Sequence, residues 1–197
     1  MTNLADVREE WSDFLIEVES AHNYPMVNSI TGGSRLPNPV LERILPTLLH
    51  VKATASFDRA LEVWMVANGI TLTSGYRADL NGRIRFLSDK GYLPNASSLH
   101  AVRAARNSFA HNPNSMAGWD ELKTDIACIH GAMEHLKIVN SMPTFEAKAT
   151  QHAMTGPTKA GAICSQKFEF TVEGSDGHGG TIEWERHIMK NEESREE

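Results

Sequence analysis

The sequence has little of several residue types on which whole protein classes depend. Only two of its 197 residues are cysteine, and Cys128 and Cys164 do not form the C-x-x-C pair of a zinc or redox site. No run approaches the roughly eighteen apolar residues of a membrane-spanning helix, and the N-terminal residues lack the basic start and apolar segment of a secretory signal. We therefore expect a cytoplasmic protein that neither spans a membrane nor holds a metal ion or another cofactor.

An overall excess of positive charge is also missing, because the formal net charge is −6. Acidic residues crowd both ends of the chain, whereas the stretch between Gly75 and Asn112 is locally basic. That stretch contains Arg77, Arg83, Arg85, Lys90, Arg103 and Arg106 against Asp79 and Asp89. Since binding depends on local rather than summed charge, this stretch is the place where an anionic ligand would bind.

Apolar residues recur at helical spacing over most of the first 140 residues. The pattern predicts helices over about residues 3–21, 39–68 and 74–89, then from 95 or 97 to 112, and from 115 or 120 to about 140. Residues 23–39 are rich in proline and glycine and predict a loop. We therefore predict an all-α fold, an antiparallel helical bundle, for a domain of residues 1–142.

The character of the chain changes after Pro143. Residues 144–162 are mostly small and polar, and then residues 167–173 and 181–187 alternate apolar with polar side chains around a glycine-rich loop. This pattern predicts a β-hairpin, which is marginal alone and has to pack on the helices or on another subunit. Residues 143–197 thus form a C-terminal extension with a β-hairpin and an acidic tail.

One arginine lies where an apolar residue would be expected. Leu99, Val102, Arg106 and Phe109 follow one another at helical spacing, so Arg106 falls on the apolar side of its helix. A guanidinium there needs an anionic partner or water. One explanation is a structural ion pair with Glu62 or Asp125, and the other is a functional site.

The same helix has a polar stripe beside the apolar one. Arg103, Asn107 and His111 lie four residues apart, so one face offers guanidinium, amide and imidazole groups. Arginine matches phosphate oxygens in a bidentate fork, and imidazole titrates near neutral pH. On an ideal helix, however, Arg106 and His111 are about 140° apart, so they converge only at a frayed helix end or across a subunit interface.

The segment Arg106-Asn107-Ser-Phe-Ala-His111 resembles the signature of HEPN domains, an arginine and a histidine separated by four to six residues with a polar residue often after the arginine. The flanking residues from Leu99 onward are similar to the corresponding helix in HEPN relatives, including proteins related to the mannitol operon repressor. The segment from Ser56 to Trp64 resembles their earlier core helix. The resemblance covers roughly residues 41–140.

A second pair, Arg43 and His50, has the same type of spacing. It has no polar residue after the arginine, and Pro46 lies between the two. For these reasons Arg106 and His111 are the preferred motif.

The resemblance implies a metal-independent endoribonuclease, such as a toxin or defence effector, that cuts single-stranded RNA by attack of the 2′-hydroxyl on the adjacent phosphate. In that reading His111 is the general acid or base, Arg106 neutralises the charge on the phosphorane and Asn107 orients the phosphate or the imidazole. The residues expected to bind RNA are Arg103, Arg83, Arg85 and His100. A homodimer that brings two motifs into one cleft is expected, with an antitoxin or regulatory protein as a further partner.

Two other functions fit the same residues. The first is a non-catalytic HEPN-like module that binds RNA, a nucleotide or a protein partner, which the acidic composition and the lack of an aromatic base-stacking platform favour. The second is a structural helical bundle in which Arg106 is paired internally. The position of Arg106 relative to carboxylates and to His111 distinguishes these functions.

Overall fold

The computed structural model describes residues 3–23, 40–94, 96–112, 114–152 and 163–189. This part of the chain contains five helices, α1 (Leu4–Asn23), α2 (Leu45–Ala67), α3 (Leu80–Asp89), α4 (Ala96–His111) and α5 (Trp119–His135), and three strands, β1 (Phe145–Gln151), β2 (Ile163–Gly174) and β3 (Gly179–Met189). A π-helical turn, Val40–Ile44, leads into α2. The predicted loop at 23–39 and the acidic tail lie almost entirely outside the described residues.

The predicted all-α class is wrong, because β1, β2 and β3 form a three-stranded antiparallel sheet in that order. The predicted hairpin is present as β2 and β3, which pair from Ile163 with Met189 to Glu173 with Gly179. The strand that the prediction missed is β1, which pairs with β2 along its whole length. Its less exposed positions include Ala147 and Ala149, and alanine gives only a weak apolar alternation. The fold is therefore mixed, with a helical part and a sheet.

The described residues fall into two compact units, one with residues 3–18 and 40–143 and the other with residues 19–23, 144–152 and 163–189. In the first unit α2 packs against α3, α4 and α5. Its largest fully buried side chains are Trp11, Phe14, Phe57, Leu61, Ile84, Leu87, Leu122, Ile129, Met133 and Ile138. In the second unit, three buried side chains of β2 alternate along the strand, namely Phe168, Phe170 and Val172.

Helix α3 begins six residues later than the sequence predicts. Asp79 has an extended backbone, and its side chain accepts a hydrogen bond from the Gly82 amide at 2.8 Å. This is the geometry of an N-cap, which satisfies an amide that has no partner within the helix. Gly75 has a φ of 105°, which is incompatible with a helix at that position. The N-cap at Asp79 thus fixes the start of α3, and the residues before Asp79 are not part of the helix.

Gly82 allows the chain before α3 to pack directly against the helix. A Cβ atom at this position would lie 2.0 Å from the carbonyl oxygen of Arg77. Since backbone atoms cannot turn aside as a flexible side chain can, we expect Gly82→Ala to lower the free energy of unfolding by about 3 kcal/mol. Chemical denaturation measures the change.

Gly131 provides the matched control for that substitution. It lies in α5, and a Cβ atom there would meet nothing within 4 Å apart from its chain neighbours and the backbone of its own helix. Gly131→Ala should therefore stabilise the protein by about 0.5 to 1 kcal/mol, as expected for an exposed position within a helix. A Gly82→Ala protein as stable as the unaltered one would contradict the close packing at α3.

His130 of α5 is buried and connects two parts of the helical unit. Its Nδ1 accepts a hydrogen bond from Trp11 Nε1 at 3.0 Å, and its Nε2 lies 2.9 Å from the carbonyl oxygen of Asn140. Because an indole N–H can only donate, Nδ1 carries no proton and Nε2 donates to the carbonyl. Burial lowers the pKa of His130, and the Asn140 carbonyl and the charge of Glu134 oppose part of this effect. The folded protein therefore favours the neutral ring.

Acidification is expected to destabilise the protein through His130. The unfolded chain binds a proton at this ring below a pH of about 6.5, whereas the folded chain binds it only at a lower pH. The contribution of the neutral His130 ring to the free energy of unfolding is thus fully present above the unfolded pKa and decreases as the pH falls below it. Urea denaturation at about pH 7.5 and about pH 5.5 measures this decrease, which should be smaller in His130→Gln, since an amide does not titrate. Equal losses in the two proteins would contradict the assignment.

Candidate phosphate-binding cleft

A cleft with a volume of about 370 Å³ lies between α2, the start of α3 and α4. This volume is within the range of small-molecule sites. Its lining residues are Thr54, Ala55 and Asp58 of α2, Asp79, Leu80 and Asn81 at the start of α3, and Arg103, Arg106 and Asn107 of α4. We call it the arginine cleft. The polar residues that α4 contributes to the cleft all lie in the locally basic stretch between Gly75 and Asn112.

The spacing of residues along α4 explains which side chains reach the cleft. Arg103, Arg106 and Asn107 are separated by three and four residues and therefore share one face. Leu99 and Val102 are buried in the core, as their positions on the apolar stripe predict. The helix thus turns an apolar side to the core and a polar side to the cleft, and Arg106 is half-buried at the border between them.

The two guanidiniums of the cleft have few partners. Arg106 Nη1 donates a hydrogen bond to Oδ1 of Asn107 at 3.2 Å. Arg103 Nε is buried and has no acceptor among the described residues. Within that part of the chain, no carboxylate oxygen lies within 4 Å of either guanidinium. A buried donor without an acceptor is costly, by about 1 to 3 kcal/mol, so an acceptor in the cleft would stabilise the site.

The two carboxylates of the cleft, in contrast, both have basic partners. Asp58 Oδ1 accepts from Arg83 Nη1 at 2.6 Å. Asp79 caps α3 through one oxygen, and its other oxygen lies 3.4 Å from Arg77 Nε. The negative charges that line the cleft are therefore already partly neutralised, while the positive charges are not. This difference makes the cleft suited to an anion.

Asp58 is nevertheless an unusual carboxylate. Burial raises its pKa, and the positive charge and hydrogen bond of Arg83 oppose this effect without cancelling it. The nearby charges of Glu62 and Asp79 raise the pKa further. The carboxylate is thus less well solvated than one on the surface, and hydrogen bonds from a ligand to it would be correspondingly stronger.

Three of the residues that the sequence proposes for RNA binding do not line the cleft. Arg83 is buried, and its guanidinium is held by Asp58 and, at 3.2 Å, by Glu62. Arg85 is exposed, with its guanidinium 5.9 Å from the centre of the Tyr76 ring. His100 is half-buried on α4, and burial, followed by the charges of Arg103 and Arg85, lowers its pKa. Arg83 therefore has a structural position, and Arg103 alone of the four lines the cleft.

His111 is the last residue of α4 and is exposed. It is absent from the lining of the cleft that contains Arg106 and Asn107. On an ideal helix His111 lies about 140° from Arg106 and one turn beyond Asn107, at the end of α4. The cleft thus contains Arg106 and Asn107 of the three residues proposed as catalytic, and His111 is outside its lining.

The two carboxylates considered as structural partners of Arg106 bind other residues. Glu62 binds Arg83. Asp125 binds the Nε2 atom of His50 at 2.7 Å, and His50 is buried with its ring edge-on to Phe109. Arg106 therefore has neither of the ion pairs that would give it a purely structural role. His50, part of the second arginine–histidine pair, belongs to the core.

Sequence reasoning missed the residues that α2 and α3 contribute to the cleft. Thr54 and Asp58 are four residues apart, so they share a face of α2, and this polar pair beside the core positions Phe57 and Leu61 was a usable signal. Asn81 had no such signal, because its place in the cleft depends on where α3 begins. That start depends in turn on the N-cap formed by Asp79.

Comparison of the chain with family models, curated proteins and solved structures finds no match. Among the described residues, none of the helices is long and apolar enough to cross a membrane. The same residues contain no group of three or more histidine, cysteine, aspartate or glutamate side chains arranged to hold a metal ion.

Proposed function

We propose that the arginine cleft binds a phosphate of single-stranded RNA in a cytoplasmic RNA-binding module of HEPN type. One observation carries this proposal: the guanidiniums of Arg103 and Arg106 have no carboxylate partner among the described residues, whereas Asp58 and Asp79 do have basic partners. A bound phosphate would supply the acceptors that the guanidiniums lack.

The chemistry of the α4 wall suits a phosphodiester in particular. Guanidiniums keep their charge at any physiological pH and match phosphate oxygens with two parallel N–H donors. Asn107 adds an amide whose Oδ1 already accepts from Arg106, so its NH₂ group remains as a donor toward the ligand. The site thus offers charge and directional donors on one helix face.

We propose RNA rather than another phosphate-containing ligand because α4 resembles the HEPN signature. The net charge of −6 opposes non-specific binding to nucleic acids, so the interaction should be confined to the cleft. A single cleft contacts few phosphates, and the salt dependence of binding should therefore be shallow compared with that of a basic nucleic-acid-binding domain.

Fluorescence anisotropy with an end-labelled single-stranded RNA tests this function directly. We expect saturable binding that weakens as the salt concentration rises from about 50 to about 200 mM. Inorganic phosphate should compete with the RNA for the cleft. The DNA strand of the same sequence and a duplex RNA, measured in parallel, show whether the single-stranded RNA is preferred. Absence of binding to any of these at low salt would contradict the proposal.

A second candidate is a metal-independent endoribonuclease, and the position of His111 favours it. This imidazole lies exposed at the end of α4, one turn beyond Asn107, where a second copy of the chain could reach it. In a homodimer, His111 of one copy would approach a phosphate held by Arg106 of the other. The histidine would then move the proton of the 2′-hydroxyl or of the leaving oxygen.

A further inference from the structure

The arginine cleft has a second kind of wall that phosphate binding does not use. While α4 contributes guanidiniums, α2 and the start of α3 contribute the carboxylate of Asp58 and the amide of Asn81. A simple phosphate needs neither group. A ligand that carries hydrogen-bond donors at some distance from its phosphate would use both walls.

Asp58 has acceptor capacity left for such donors. Only its Oδ1 atom has a described partner, Nη1 of Arg83, and an ionised carboxylate offers about four lone-pair positions over its two oxygens. Arg83 also holds Asp58 in place, because it is itself fixed by Glu62. The carboxylate is thus oriented and partly desolvated, with lone-pair positions left on both oxygens, and the residue lines the cleft.

The four bases differ in what they present to a carboxylate. Guanine has two adjacent donors on its Watson–Crick edge, N1–H and the N2 amino group, which match two carboxylate oxygens. Adenine and cytosine present one amino group beside an acceptor, and uracil presents one N–H between two carbonyl oxygens. Bidentate pairing is worth about 1 to 3 kcal/mol in discrimination between bases, so a carboxylate in this position would prefer guanine.

We propose that Asp58 is the base-selecting residue of the arginine cleft and that the cleft prefers guanine nucleotides, with Asn81 as a supporting contact. This inference rests on the proposed function, since Arg103 and Arg106 hold the phosphate that places the base. The volume of about 370 Å³ is sufficient for one small ligand and not for a longer strand. One nucleotide of a strand therefore occupies the cleft.

Calorimetric titration with GMP, AMP, CMP, UMP and inorganic phosphate tests the proposal on the unaltered protein. We expect GMP to bind on the order of tenfold more tightly than UMP, with AMP and CMP between them. Equal affinities for the four nucleotides would overturn base selection and leave phosphate binding intact. Failure of all four nucleotides and of phosphate to bind would overturn both.

The variant Asp58→Asn separates base selection from charge. It keeps one oxygen for Arg83 and replaces the other with an NH₂ group that repels the guanine donors, so the preference for GMP over UMP should disappear. Glu62→Gln is the matched control. This substitution also removes one carboxylate charge that pairs with the Arg83 guanidinium, and Glu62 does not line the cleft. A preference for GMP lost equally in both variants would assign the effect to Arg83 and overturn the role of Asp58. Thermal denaturation confirms that each variant is folded.

Discussion

Replacing Arg103 and Arg106 together with glutamine is expected to weaken the binding of single-stranded RNA about a hundredfold. Each guanidinium donates charge-assisted hydrogen bonds to phosphate, and about 1.4 kcal/mol for each corresponds to a factor of ten. The dependence of log K on log salt should also become shallower by about 0.7, because the one phosphate that the two guanidiniums hold is no longer neutralised. Anisotropy titrations at several salt concentrations measure both quantities.

The control for this variant is a double substitution with the same change in charge. Lys52 and Arg59 lie on α2 with about half of their side-chain surface exposed, and they pair with Glu17 and Glu10. Lys52→Gln with Arg59→Gln should leave RNA affinity within about threefold of that of the unaltered protein, since surface ion pairs contribute little. If both double variants weakened binding equally, overall charge rather than the cleft would be responsible.

His111→Ala is expected to reduce RNA cleavage by at least about a hundredfold if the cleft belongs to a ribonuclease. A general acid or base contributes a factor of about 10² to 10⁴, whereas the exposed imidazole contributes little to holding the strand. Cleavage of a labelled single-stranded RNA in buffer with a metal chelator should therefore fall while the affinity changes only slightly. This combination separates proton transfer from binding.

His135→Ala is the matched control for that experiment. Like His111, His135 is an exposed histidine that ends a helix, and it does not line the cleft. Its replacement should leave cleavage unchanged. An unaltered protein that binds RNA and does not cut it would support the non-catalytic module and remove the catalytic role of His111.

The cleft wall on α4 could be predicted from the sequence because it depends on one helix. The spacing of Leu99 and Val102 defines the buried side, and the positions of Arg103, Arg106 and Asn107 follow from it. The number of nearby carboxylates could not be predicted. That number depends on how α2 and α3 pack on α4. Arg83 pairs with both Asp58 and Glu62, and the spacing of residues along the chain does not indicate these ion pairs.

The sheet shows a different limit of sequence reasoning. β2 and β3 were predictable because large apolar residues such as Phe168 and Phe170 alternate with polar ones. In β1 the corresponding positions include two alanines, and the strand exists because β2 offers it a complete set of hydrogen-bonding partners. A strand that depends on its neighbour more than on its own side chains has no strong pattern of its own.

The arginine side chains of the cleft give the most direct signal of phosphate binding. In proton–nitrogen spectra of the arginine Nε–H groups, titration with a single-stranded RNA or with GMP should shift the signals of Arg103 and Arg106 in a saturable way. The signal of Arg59, on the exposed side of α2, should stay in place. Shifts at Arg59 or other surface arginines with none at Arg103 and Arg106 would contradict the assignment of the phosphate site to this cleft.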